Sequence, residues 1–170
     1  MSCNIDTGRT LPCRDSVGGL KNVYFINYDS SASIPLVEDE NLEDTVASAP
    51  WATTTYKYEL KGTSSLTQNI QASRENGTVA FEQVLELTLP KLSKEDNYQI
   101  KLLSFGRPRI VVEDYNGNLF LVGREHGADV TGGTIVTGAS MGDLSGYTLS
   151  FSAMELTPAN IVTGTFPYVP

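Results

Sequence analysis

The chain is poor in the groups that enzymes use. Its 170 residues hold one histidine, His126, and two cysteines, Cys3 and Cys13. Serine catalysis would need His126 as its base. That residue sits in the polar stretch Arg124-Glu-His-Gly, and no Gly-x-Ser-x-Gly elbow occurs. It reads as a solvated turn histidine. Two cysteines near one end make no disulfide framework, and no second Cys/His pair completes a zinc site. They are expected as free thiols in a reducing compartment. The glycine-rich stretches Thr131-Gly-Gly-Thr and Gly138-Ala-Ser-Met-Gly are not followed by a phosphate-loop lysine. Their glycines are expected to permit bulges or close backbone approach. The acidic run Glu38-Asp39-Glu40-Asn-Leu-Glu43-Asp44 lacks the alternating ligands and central glycine of a calcium loop. No catalytic, cofactor-binding or metal-ligating residue is assigned, and no cofactor is expected.

Long apolar stretches are missing too. The opening MSCNIDTGRTLPC has no apolar segment of a signal peptide, and no run approaches a membrane span. Synthesis in a cytoplasm is expected. Asn76-Gly77-Thr78 matches a glycosylation acceptor but is better read as a turn. Positive charge is short as well. Lys and Arg number 12 against 20 Asp and Glu, for a net charge of −8. Affinity for phosphate backbones comes from Lys and Arg, so this chain is ill suited to gripping nucleic acid. The charge serves solubility, and it would also suit a surface along which DNA slides without sticking.

What is present is strand. Leu20 to Tyr28 is dense in β-branched and aromatic residues, and Thr53 to Lys61 alternates. Leu66 to Arg74 and Thr78 to Leu89 flank Glu75-Asn76-Gly77, and Asn-Gly between extended runs is a strong hairpin signal. Val79, Phe81, Gln83, Leu85 and Leu87 share one face of the second arm. Glu82, Val84, Glu86 and Thr88 share the other, a mixed face suited to meeting another subunit. A second hairpin runs from Arg109 to Asp114 and from Asn118 to Gly123. Gly127 to Thr137 and Leu144 to Glu155 complete the set. In the last of these Tyr147, Leu149, Phe151 and Ala153 alternate with Thr148, Ser150 and Ser152.

One helix is expected after Leu92. Ser93 can cap it, with Asp96 reaching back, and Tyr98, Leu102 and Phe105 fall near one face. A strand through Tyr98, Ile100 and Leu102 is the competing reading. Residues 1–19 are expected to be an arm and 159–170 a C-terminal tail around one domain. The fold class is mainly β: a small antiparallel barrel or sandwich with a long hairpin and one flanking helix. The Glu38–Asp44 run is expected to be an exposed loop or a frayed helical turn. Arg107 and Arg109 are candidate ion-pair partners for such a loop on a neighbouring subunit.

The long hairpin, the single helix and the closing Gly142-Asp-Leu-Ser-Gly-Tyr-Thr-Leu-Ser-Phe-Ser-Ala-Met-Glu strand together resemble tail tube proteins of tailed bacteriophages. The opening Cys3-Asn-Ile-Asp-Thr-Gly-Arg-Thr-Leu-Pro-Cys-Arg-Asp-Ser-Val-Gly-Gly-Leu-Lys is similar to the start of phage structural proteins. The resemblance implies a virion protein, assembled in the host bacterial cytoplasm. Six copies would close into a ring, and rings would stack into a tube that DNA crosses without specific binding. Neighbouring hairpins would join around the lumen, with Asn76, Gly77 and Val84 in the tube-forming element and Glu82 and Glu86 as lumen-lining candidates. Partners would be further copies and other tail or neck proteins. The alternatives are a neck, tail-terminator or capsid-decorating protein, and a host-glycan-binding sandwich that uses exposed tyrosines.

Overall fold

The computed structural model describes residues 5, 7–37, 45–47 and 54–164. Within them eleven strands and one helix follow in chain order: β1 (Leu20–Ile26), β2 (Leu36–Val37), β3 (Thr45–Ala47), β4 (Thr55–Glu59), β5 (Ser65–Ser73), β6 (Thr78–Pro90), α1 (Lys94–Phe105), β7 (Arg109–Asp114), β8 (Leu119–Val122), β9 (Asp129–Val136), β10 (Gly146–Glu155) and β11 (Asn160–Thr163). A seven-stranded sheet has the order β2-β3-β11-β8-β7-β1-β4, and a four-stranded sheet the order β5-β6-β10-β9. Both orders are open. Of the barrel and the sandwich expected, the sandwich is the one that forms.

The main core lies between the sheets. Leu85 and Leu87 of β6 and Leu149, Phe151 and Ala153 of β10 meet Val23, Phe25, Ile110 and Val112 of the larger sheet. The inward set of β10 is the one its alternation dictates. A second cluster lies on the far face of the larger sheet, where Tyr24, Ile26, Val111 and Leu121 pack with Ile34, Val46 and Val162. Burial on two faces explains why β1 reads as a nearly continuous apolar run rather than an alternating one.

Val162 belongs to β11, which sits between β3 and β8 and runs parallel to β3. Residues 160–163 are therefore sheet, not the tail expected from 159 onward. Their sequence is too short to carry a periodic signal, and burial of Val162 against a distant part of the chain fixes them. Residues 165–170 lie outside the described part. Residues 7–18 hold no regular structure and are exposed.

The helix forms where its cap predicts. Ser93 Oγ accepts the Asp96 backbone N–H at 3.0 Å and donates to the Asp96 carboxylate at 2.6 Å. That satisfies one orphan donor of the first turn. The face it buries is not the Tyr98-Leu102-Phe105 stripe. Ile100 is buried and Leu103 is packed against the core, whereas the stripe points to solvent.

Candidate functional site

The smaller sheet has one face spent on the core and one face open. Its registry settles which residues share the open side. Ser65, Thr67 and Asn69 of β5 stand opposite Glu86, Val84 and Glu82 of β6. Those three stand opposite Ser150, Ser152 and Met154 of β10. On β9, Gly132 and Asp129 stand opposite Ser150 and Ser152, and Thr134 stands opposite Thr148. Every charged group in these rows is an acid: Glu82, Glu86 and Asp129. Lys, Arg and His are absent from all of them. Glu82 accepts amide hydrogens from Asn69 at 3.3 Å and Gln71 at 3.2 Å. The ion pairs among the described residues involve neither Glu82 nor Glu86. Pairing of these glutamates with a cation across the sheet, the plain alternative to a lumen role, is not what their neighbours offer.

The sheet's two edges are long. β5 has nine residues and β9 has eight, and among the described residues each has one strand neighbour only. An edge of that length presents a row of unpaired backbone groups, and isolated proteins usually blunt such rows with charge, proline or a covering element. Here β5 reads Ser-Leu-Thr-Gln-Asn-Ile-Gln-Ala-Ser and β9 reads Asp-Val-Thr-Gly-Gly-Thr-Ile-Val. Neither contains proline or lysine. β9 carries one irregularity, a register shift between Ser150 and Phe151 that leaves Thr131 unpaired beside its two glycines. Gly133 is needed for close approach, because a Cβ there would lie 2.5 Å from the Thr148 carbonyl oxygen.

The hairpin tip forms at Asn76-Gly77 as expected, through a four-residue loop from Arg74 to Gly77. Gly77 takes φ +62°, and the Asn76 N–H donates to Ser73 Oγ at 3.3 Å. Val84 lies inside the sheet, between Thr67 and Ser152. Arg109 is only 4% exposed. It donates to the carbonyl oxygens of Arg124 and Ala32, and burial pushes its guanidinium below the usual arginine range. Its donors therefore serve the protomer rather than a subunit contact. Arg107 is exposed and stacks 4.2 Å over the Tyr28 ring. Glu38, Asp39, Glu40, Glu43 and Asp44 lie outside the described residues, as does Cys3. Cys13 is exposed and unpaired.

Two other features were not legible in the sequence. Glu155 is a buried carboxylate. Its Oε1 accepts the backbone N–H groups of Glu125 and His126 at 3.0 and 2.9 Å, and its Oε2 lies 3.1 Å from His126 Nδ1. Ligand atoms of Glu125, His126 and Glu155 fall within 4.8 Å of one another, but Glu125 is held by Arg124 at 2.6 Å. With each group engaged by the protein, the cluster reads as an anchor for the loop after β8. The second feature is a cleft of about 570 Å³ between α1 and the β1–β4 flank, walled by Tyr28, Tyr56, Tyr58, Leu102 and Arg107 among others. Burial raises the Tyr58 hydroxyl's pKa, and the charge of Asp96 adds to the effect.

No protein-family model, curated protein or solved structure matches this chain. The functional reading therefore stands on the geometry of the open face and the two edges.

Proposed function

We propose that this chain is a virion structural protein whose copies close side by side into rings, and that the stacked rings form a phage tail tube through which DNA passes. The observation that carries the reading is the open face of the smaller sheet. It is long, flat in chemistry, rich in Ser, Thr, Asn and Gln, and its only charges are acidic. A wall of that kind repels phosphate and offers it no cationic partner.

Strand direction supports side-by-side closure. The four strands alternate, so β5 and β9 run in opposite senses. A copy brought round by rotation about a tube axis sets its β5 antiparallel to the β9 beside it, and the alternation continues unbroken. Closure removes both exposed edges. Six copies would give a barrel of about 24 strands, roughly 45–50 Å across between backbones. That is wider than a DNA duplex with room for side chains.

Electron microscopy of the purified protein tests the reading. Rings or tubes are expected. Rings that never stack would favour the neck or tail-terminator role. One observation favours a second reading: the tyrosine-walled cleft, with Asn27 and Gln99 in its lining, has the aromatic and amide groups of a glycan site. Stable monomers that bind immobilised host polysaccharide would support that reading and remove the first.

A further inference from the structure

α1 closes one flank of the sandwich. Near its start the Ser93 carbonyl accepts Tyr147 Oη at 3.2 Å, and Tyr147 stands opposite Ile135 of β9. Just past its end the Pro108 carbonyl accepts the Ala128 N–H at 2.9 Å, immediately before β9 begins. The helix thus runs alongside β9 from its Val136 end to its Asp129 end. Its outward stripe is Tyr98, Leu102 and Phe105, spaced i, i+4 and i+7, and Phe105 is 82% exposed.

The opposite flank ends in β5. The hairpin runs past the end of β10, whose last pairing to β6 is Glu155 with Phe81. Ile70 and Val79 stand on the core side of the sheet at and beyond that point. No described residue roofs them, and they are 69% and 54% exposed. Farther back, the same side holds Leu66, Leu85 and Leu87 in the core.

The two patches match in three respects. Both are apolar, both lie on the core side of the smaller sheet, and both sit near the same end of it. Phe105 is close to the level of Ala128, and Ile70 is level with Glu155, a few rungs away. Rotation about a ring axis preserves level apart from the stagger of the barrel. It brings the α1 flank of one copy against the hairpin flank of the next. We infer that the Tyr98-Leu102-Phe105 stripe packs on Ile70 and Val79 of the neighbouring copy, outside the strand pairing between β9 and β5. The contact is heterologous, joining different patches on the two copies, as ring closure requires. The inference rests on the ring reading and names the side-chain contact that seals it.

The test uses the full chain with Phe105→Glu, Ile70→Lys, and both together. These residues are exposed, so thermal melting of the monomer should match the wild type. Each single variant should raise the concentration needed for assembly by about tenfold or more, since a central aromatic anchor is lost. The double variant should recover part of that loss because opposite charges then face each other. Wild-type rings together with single variants that assemble at the wild-type concentration would overturn this contact and leave the ring reading intact. Loss in both singles without recovery in the double would overturn the pairing of these residues. A wild type that sediments as a monomer at every concentration would overturn both.

Discussion

Asp114 accepts four hydrogen bonds in the turn between β7 and β8. Its Oδ1 takes the backbone N–H groups of Asn116 and Asn118 at 2.9 and 2.8 Å, and its Oδ2 takes their side-chain amides at 3.2 and 3.1 Å. Asn116 in turn exchanges two hydrogen bonds with the Val17 backbone, at 3.0 and 2.8 Å. One carboxylate thus shapes a turn and fixes the root of the arm that precedes β1. Partial burial pushes its pKa up, but the bonds from Asn118 and Asn116 outweigh that and hold it below the usual carboxylate range. A depressed folded pKa means stability that is present above the unfolded value of about 3.9 and lost as pH falls through the folded value. Asp114→Asn should cost on the order of 1 kcal/mol at neutral pH, a figure kept small because the site is partly solvated. The gap in melting temperature between variant and wild type should narrow as pH falls below the unfolded value. A gap that stays constant from pH 7 to pH 2.5 would show that the charge on Asp114 is not what stabilises the turn.

Elements differ in how plainly the sequence announces them. β10 was legible because one of its faces is buried and the other open, which gives strict alternation. The cap at Ser93 decided for helix over strand because it is local chemistry, independent of what the helix later packs on. The buried face of α1 was not legible. A helix lying on a flank buries a narrow strip, here Ile100 and Leu103, and leaves a stronger apolar stripe outside. β3 and β11 carry no signal of their own because three or four residues cannot show a period, and β11 owes its place to Val46 and Leu121, which are far away in sequence. The open face of the smaller sheet is half legible: alternation puts Glu82 and Glu86 on one side, but the absence of cations across four strands needs the registry. The registry also places Val84 in the interior of the sheet. That residue is paired on both sides, so Val84→Pro removes a ladder donor from an interior strand and should destabilise the protomer by about 3 kcal/mol or more. The cleaner probe is the free edge. Of the neighbours Thr134 and Ile135, one directs its N–H away from β10. Proline at that position should leave monomer melting nearly unchanged and abolish rings. Assembly of both Thr134→Pro and Ile135→Pro into normal rings would remove β9 from the subunit interface.

For the whole molecule the deciding quantity is where the charge sits. A net charge of −8 spread evenly would say only that the protein is soluble. Its distribution is more specific, because the open face keeps acids and excludes bases while Arg107, Arg109 and Arg124 gather elsewhere, around Tyr28 and the loop after β8. In a ring every copy repeats that face, so a charge at one position becomes a belt. Among the described residues Glu82 is tied only to Asn69 and Gln71, and Glu86 is exposed opposite Ser65 and Ser150. Replacing both with lysine disturbs no ion pair among the described residues and should not harm the fold. The double variant should assemble, since neither side chain lies at an edge. Its belt of ammonium groups should then hold DNA that enters the tube. Each neutralised phosphate releases counterions, so retention should fall steeply with salt, with a slope near −0.9 per phosphate contacted. Wild-type tubes should retain none at any salt. The measurement is co-sedimentation of assembled tubes with short duplex DNA from 20 to 300 mM salt, roughly the range over which such contacts are lost. Variant tubes that assemble normally yet retain no more DNA than the wild type would mean that this face does not border the DNA path. The case for an acidic lumen built on Glu82 and Glu86 would then fall.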